Sequence, residues 1–222
     1  MPREPQKLVR PGGHLHPQKF IVIASEDSKT SPKYFSALRD SDKFNESGII
    51  EIIQLPPRTH GGNSPRDIKK QILDEESDTN FRAGDEFWVV SDRDQWETIH
   101  HIDFDRFADE CAKEKNMYWA LSNPCFELWL LLHCTDLSIF TKTELTEIYR
   151  NKRITNHKNT IEKVLDRFMP KGRGYSKTGS KKLFIPNVEK AILRARSMSV
   201  PGELYPHKLG SDVYKLVEEL IK

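Results

Sequence analysis

A chain of 222 residues with 36% hydrophobic and 31% charged residues has a globular but polar composition, long enough to bury one domain or slightly more. It holds no run of eighteen apolar residues, and its proline- and charge-rich start has no apolar signal core, so no membrane span and a cytoplasmic protein are expected. The formal net charge of +2 conceals two blocks: residues 71–110 carry thirteen acidic residues against three basic ones, and residues 150–182 carry eleven basic against two acidic. The first block repels a polyanion unless it takes up cations, whereas the second attracts one.

Residues 1–18, with Pro2, Pro5, Pro11, Gly12, Gly13 and Pro17, read as a flexible leader, and the ordered domain is expected to begin at Lys19. Phe20, Ile21, Val22, Ile23 and Ala24 form a first buried strand, followed by a helix over 32–39 with Thr30 or Ser31 as its cap. A second strand over 49–55 stops at Pro56 and Pro57. The loop Arg58–Asn63, read as a β-to-α connector with a phosphate-approaching loop as the alternative, leads to Ser64, which caps a helix over 65–76.

Phe87, Trp88, Val89 and Val90 are apolar without alternation, the pattern of a strand buried on both faces. Asp92 and Asp94 follow at its carboxyl end, where open α/β sheets place their ligands, and a one-residue spacing on extended backbone points both carboxylates the same way. An amphipathic helix over 103–115 and a fourth strand over 117–121 complete an alternation of strands and helices, which implies a parallel sheet covered on both faces. Glu26, just after the first strand, shares the same sheet edge. Converging carboxylates raise one another's pKa unless a cation is present, so Glu26, Asp92 and Asp94 are read as ligands of Mg2+ (or Mn2+), with Glu26 also suited to act as general base.

Ser122, Asn123, Pro124, Cys125, Phe126 and Glu127 open an almost uniformly apolar stretch through Cys134, read as a buried helix with Ser122 or Asn123 as cap and Pro124 in its first position. Glu127 lies in the first turn, where the helix dipole favours it but burial demands a partner, and it joins Glu26, Asp92 and Asp94 as a candidate catalytic carboxylate. His133 is read as a hydrogen-bonded core residue. Cys111, Cys125 and Cys134 are odd in number and never spaced as C-x-x-C, which argues against a disulfide framework or a zinc knuckle.

Beyond residue 135 only helices are expected, over 144–149, 158–168, 188–196 and 211–221, with a mobile basic loop over 171–182 that does not match a P-loop. Lys29, Lys171, Arg173, Lys177, Lys181 and Lys182 are candidates for phosphate contact, and Tyr175 for stacking on a base. The chain thus divides into the leader, an α/β core over 19–135, and a helical basic C-terminal region over 136–222 packed on that core.

The segment Ser122-Asn123-Pro124-Cys125-Phe126-Glu127-Leu128-Trp129 resembles the hallmark of the RloB-like family, small partner proteins of restriction-linked and abortive-infection loci. Ile23 to Thr30 is similar to that family's glutamate motif, and Val89 to Asp94 to its aspartate motif; the resemblance spans about 19–220. It implies a Toprim-like sheet of about four parallel strands, in which a strand-end glutamate and a D-x-D bind Mg2+. It also implies a metal-dependent nuclease acting on RNA (tRNA included) or DNA, the effector of an anti-phage defence system beside an AAA or ABC-type ATPase. Asp27 stands where Toprim motifs commonly have glycine, and Glu127 would be a specialisation of this family. Two other readings stay open: a non-catalytic subunit that binds nucleic acid or regulates an ATPase, and a haloacid-dehalogenase-type phosphohydrolase with Asp92 as nucleophile. A homo-oligomer is compatible with all three.

Overall fold

The computed structural model describes residues 19–45, 50–56, 64–78, 81–93, 96 and 101–221. The expected leader over 1–18, the loop 58–63 and Asp94 lie outside the described residues.

Strands β1 (Lys19–Ser25), β2 (Ile50–Gln54), β3 (Glu86–Asp92) and β4 (Met117–Asn123) pair in parallel, and the two-residue β5 (Gly210–Ser211) joins β4 antiparallel, giving the order β2-β1-β3-β4-β5. Between them run α1 (Thr30–Arg39), α2 (Pro65–Asp78) and α3 (Phe104–Lys113); α4 (Phe126–Cys134), α5 (Lys142–Arg150), α6 (Thr160–Leu165), α7 (Val188–Met198) and α8 (Val213–Leu220) follow. The result is an α/β fold built on a five-stranded, mostly parallel sheet with eight helices among the described residues.

The uniformly apolar strands are buried on both faces. Ile21 and Ile23 of β1 and Trp88 and Val90 of β3 face one hydrophobic cluster, whereas Val22, Ala24, Phe87 and Val89 face another. The second is capped by α2 and α3 through Ile68, Ile72, Phe104 and Phe107. The first is covered by α1, α4 and the C-terminal helices, so that Leu130, Ile192 and Leu216 share one core with the strands. The C-terminal third therefore completes the core, with α4 and α7 in close contact and α8 packed on β4. No helix among the described residues is long and apolar enough to cross a membrane.

Two expectations are corrected. The C-terminal third does contain a strand: β5 is short, and Ser211 Oγ and Ser122 Oγ hydrogen-bond at 2.8 Å across it. The stretch after β4 also differs, because β4 runs on through Asn123, the Asn123–Pro124 peptide is cis, and α4 starts at Phe126 with Cys125 as its cap residue. Pro124 therefore lies before the helix and not in its first position.

His133 is a core residue, as expected. Its Nδ1 donates to the Trp129 carbonyl at 2.8 Å, which leaves Nε2 to accept from the Tyr34 hydroxyl at 3.0 Å. Burial pushes its pKa down to about 3, so the ring is neutral in the fold. Below about 6.5, the ordinary histidine value, the unfolded chain takes up a proton that the folded chain refuses, so stability falls as pH drops from there toward 3. Urea unfolding at pH 7.5 and pH 5 is expected to show this loss, and His133→Gln, which keeps a donor and an acceptor but does not titrate, is expected to reduce it. An unchanged pH slope in His133→Gln would contradict this assignment.

Candidate acidic site at the sheet edge

The chain leaves β1 for β2 on one side of the sheet and returns for β3 on the other, so the carboxyl ends of β1 and β3 flank the crevice at which such sheets bind ligands. Glu26 and Asp92 occupy that position. The Glu26 main-chain N–H donates to the Val90 carbonyl at 3.0 Å, extending the β1–β3 pairing. Its carboxylate accepts from the Asp92 main-chain N–H at 3.0 Å and from Trp96 Nε1 at 2.7 Å. Asp92 in turn accepts from the Phe126 N–H at 2.7 Å, at the start of α4. These bonds bring the ends of β1 and β3 and the start of α4 together.

The electrostatics follow from the crowding. Burial, then Glu26, Glu127 and Asp27, push the Asp92 carboxyl well above the usual carboxylate range, against the Phe126 N–H that favours its charge. An all-oxygen donor set with excess negative charge suits a hard divalent cation such as Mg2+. Glu26 and Asp92 could supply oxygens to such a cation. Among the described residues no three histidine, cysteine or acidic side chains gather closely enough to hold a metal by themselves.

Asp27 has separate work. One of its carboxylate oxygens accepts from the N–H of Lys29 at 2.6 Å and from that of Thr30, and the other from Ser31 N–H at 3.0 Å and Ser31 Oγ at 2.7 Å. It thus satisfies the orphan donors at the start of α1, a task a glycine would leave to water. Thr30 and Ser31 are therefore inside the helix and not its caps.

Glu127 is 2% exposed, and its partner comes from the basic loop. Its Oε1 accepts from Tyr175 Oη at 2.9 Å and Thr30 Oγ1 at 3.2 Å, with Lys177 Nζ at 3.7 Å. Lys177 also lies 3.5 Å from Glu162, a buried residue in the capping box of α6. Partial burial works against the Lys177 charge, but Glu127 and Glu162 outweigh it and hold its pKa above the usual lysine range.

These contacts correct the reading of 171–182 as a free cationic grip. Tyr175 is 5% exposed with its hydroxyl committed to Glu127, which withdraws its ring from base stacking. Lys181 is 1% exposed, its ammonium donating to the carbonyls of Ser176, Lys177 and Gly179 while lying over the Tyr175 ring. Its pKa is lowered to about 8 by burial. Lys33 Nζ adds a bond to the Thr178 carbonyl. Lys29, Lys171, Arg173 and Lys182 are exposed and remain available to a phosphate; Lys177 is half-exposed beside Glu127. Sequence reasoning missed the Trp96 donor to Glu26 and the Lys177 link, since nothing local marks either.

No curated protein and no solved structure matches the chain. The sequence model of the RloB-like protein family matches residues 21–220, from β1 through α8, and so takes in Glu26, Asp92 and Glu127 together. With nearly the whole chain matched, this protein belongs to the RloB-like family.

Proposed function

We propose that the chain is a Mg2+-dependent, Toprim-like nuclease that hydrolyses phosphodiester bonds in RNA or DNA. The observation that carries this reading is the bonding of the Glu26 carboxylate to the Asp92 amide across the carboxyl ends of β1 and β3, with Asp92 itself tied to the start of α4. Glu26 and Asp92 would hold the cation, with Asp94 as a further ligand. When bound, the metal supplies a positive charge at a phosphate oxygen and a more acidic water.

The protein's own groups then have distinct tasks. Trp96 Nε1 and the Asp92 N–H fix the Glu26 carboxylate, which can orient a water or accept its proton. Glu127 acts as an orienting group by tying α4, Thr30 and the 171–182 loop together beside the carboxylates. Lys29, Lys171, Arg173 and Lys182 attract the phosphate backbone. A haloacid-dehalogenase-type reaction on Asp92 would leave the fixed Glu26 carboxylate without a task. Family membership supports the role of effector in anti-phage defence, beside an AAA or ABC-type ATPase.

The test is to incubate the full chain, alone and with an ATPase encoded beside it, with RNA and DNA in Mg2+ or in excess chelator. New strand ends that appear only with metal are the expected result. No new ends in either nucleic acid under any of these conditions would overturn the proposal.

A further inference from the structure

The C-terminal end of α5 lies beside the acidic site, held from two directions. Its cap residue Asn151, in the left-handed conformation, donates from Nδ2 to Cys125 Sγ at 3.3 Å, and Cys125 directly precedes the Phe126 whose N–H binds Asp92. Independently, Arg93, the residue after Asp92, reaches Tyr149 of α5: its Nη1 lies 3.5 Å from the Tyr149 hydroxyl and donates to the His207 carbonyl at 2.7 Å. The Tyr149 hydroxyl thus lies beside the Arg93 guanidinium while the residue stays 41% exposed. His207, also exposed, rests on the buried Tyr205 ring at 4.3 Å between centroids. Arg150 and Lys152, exposed on either side of Asn151, add positive charge at the same end of the helix.

A solvent-facing aromatic ring beside a guanidinium, with Arg150 and Lys152 exposed at the same helix end and the acidic site one residue from that guanidinium, has the makings of a stacking platform. Bases inside a duplex are stacked on one another and present no free face, whereas an unpaired base offers its π-face to a ring and its phosphates to the neighbouring cations. We infer that Tyr149, Arg93 and His207 form a shelf for an unpaired nucleobase next to the acidic site, so that the substrate is single-stranded or looped-out nucleic acid. This deepens the nuclease reading and rests on it for the meaning of the site, but base binding at Tyr149 can be measured without cleavage.

The test uses the full chain carrying Asp92→Asn, so that no strand is cut during measurement. Fluorescence anisotropy is read with a short fluorescein-labelled oligonucleotide, single-stranded or annealed to its complement. A single-stranded oligonucleotide containing 5-iodouridine is then photo-crosslinked and the attachment site mapped by mass spectrometry. The single strand is expected to bind at least about tenfold more tightly than the duplex and to crosslink at Tyr149 or His207; adding Tyr149→Leu weakens binding about tenfold, and Tyr149→Phe retains it. Tyr149 is exposed, and a thermal unfolding midpoint unchanged by the leucine confirms that only the surface was altered. Equal affinity for duplex and single strand, or a leucine variant that binds and crosslinks like its parent, overturns the shelf. Binding and crosslinking at Tyr149 without metal-dependent cleavage by the unsubstituted chain would sustain the shelf and defeat the nuclease reading; cleavage with no effect of Tyr149→Leu would do the reverse.

Discussion

Asp92→Asn and Glu26→Gln are each expected to lower metal-dependent cleavage by about a hundred- to a thousandfold, the usual cost of removing one preorganised electrostatic group from an active site. Both substitutions keep the shape of the side chain. Asparagine at 92 still offers an oxygen to the Phe126 N–H, and glutamine at 26 still offers one to Trp96 or to the Asp92 N–H. The fold should therefore survive, and Asp92→Asn removes one of several crowded negative charges, which favours stability in the absence of metal. Cleavage rates measured beside thermal unfolding separate the two effects. Loss of activity with a stable fold is the prediction; variants that cut as fast as the parent would remove Asp92 and Glu26 from the chemistry.

Glu127→Ala is expected to destabilise the protein by about 2–4 kcal/mol, because two buried hydroxyl donors, on Tyr175 and Thr30, lose their acceptor. Glu127→Gln keeps an oxygen for them and gives up only the charge facing Lys177. That pair is 3.7 Å apart and Lys177 is 47% exposed, so solvent screens it and the glutamine should cost no more than about 1 kcal/mol. Urea unfolding at neutral pH distinguishes the two. If glutamine costs as much as alanine, the ion pair and not the hydroxyl network holds the loop to α4.

The sequence made the sheet legible because β1 and β3 are apolar on both faces, and runs such as Phe87 to Val90 have few other places to go. Glu26 and Asp92 were legible for the same reason, as the polar residues that follow those runs. The buried α4 was visible in its leucines, but its first residue was not: Ser122 and Asn123 satisfy helix-cap rules and yet pair with β5, a strand too short to carry any pattern. The 171–182 loop was not legible, because charge and glycine content describe a segment without its neighbours. Lys181 finds three carbonyls within its own loop, and Tyr175 finds Glu127 forty-eight residues away. Such pairings are products of tertiary packing, as is the approach of Arg93 to Tyr149 across fifty-six residues.

If Glu26 and Asp92 form one cation site, calorimetric titration of Mg2+ into the full chain, Glu26→Gln and Asp92→Asn will report it with neither substrate nor partner present. Saturable binding to the parent chain that is lost or strongly weakened in both variants is the predicted result. Binding of equal strength in all three, or no binding of Mg2+ or Mn2+ to the parent, would show that these carboxylates hold no cation.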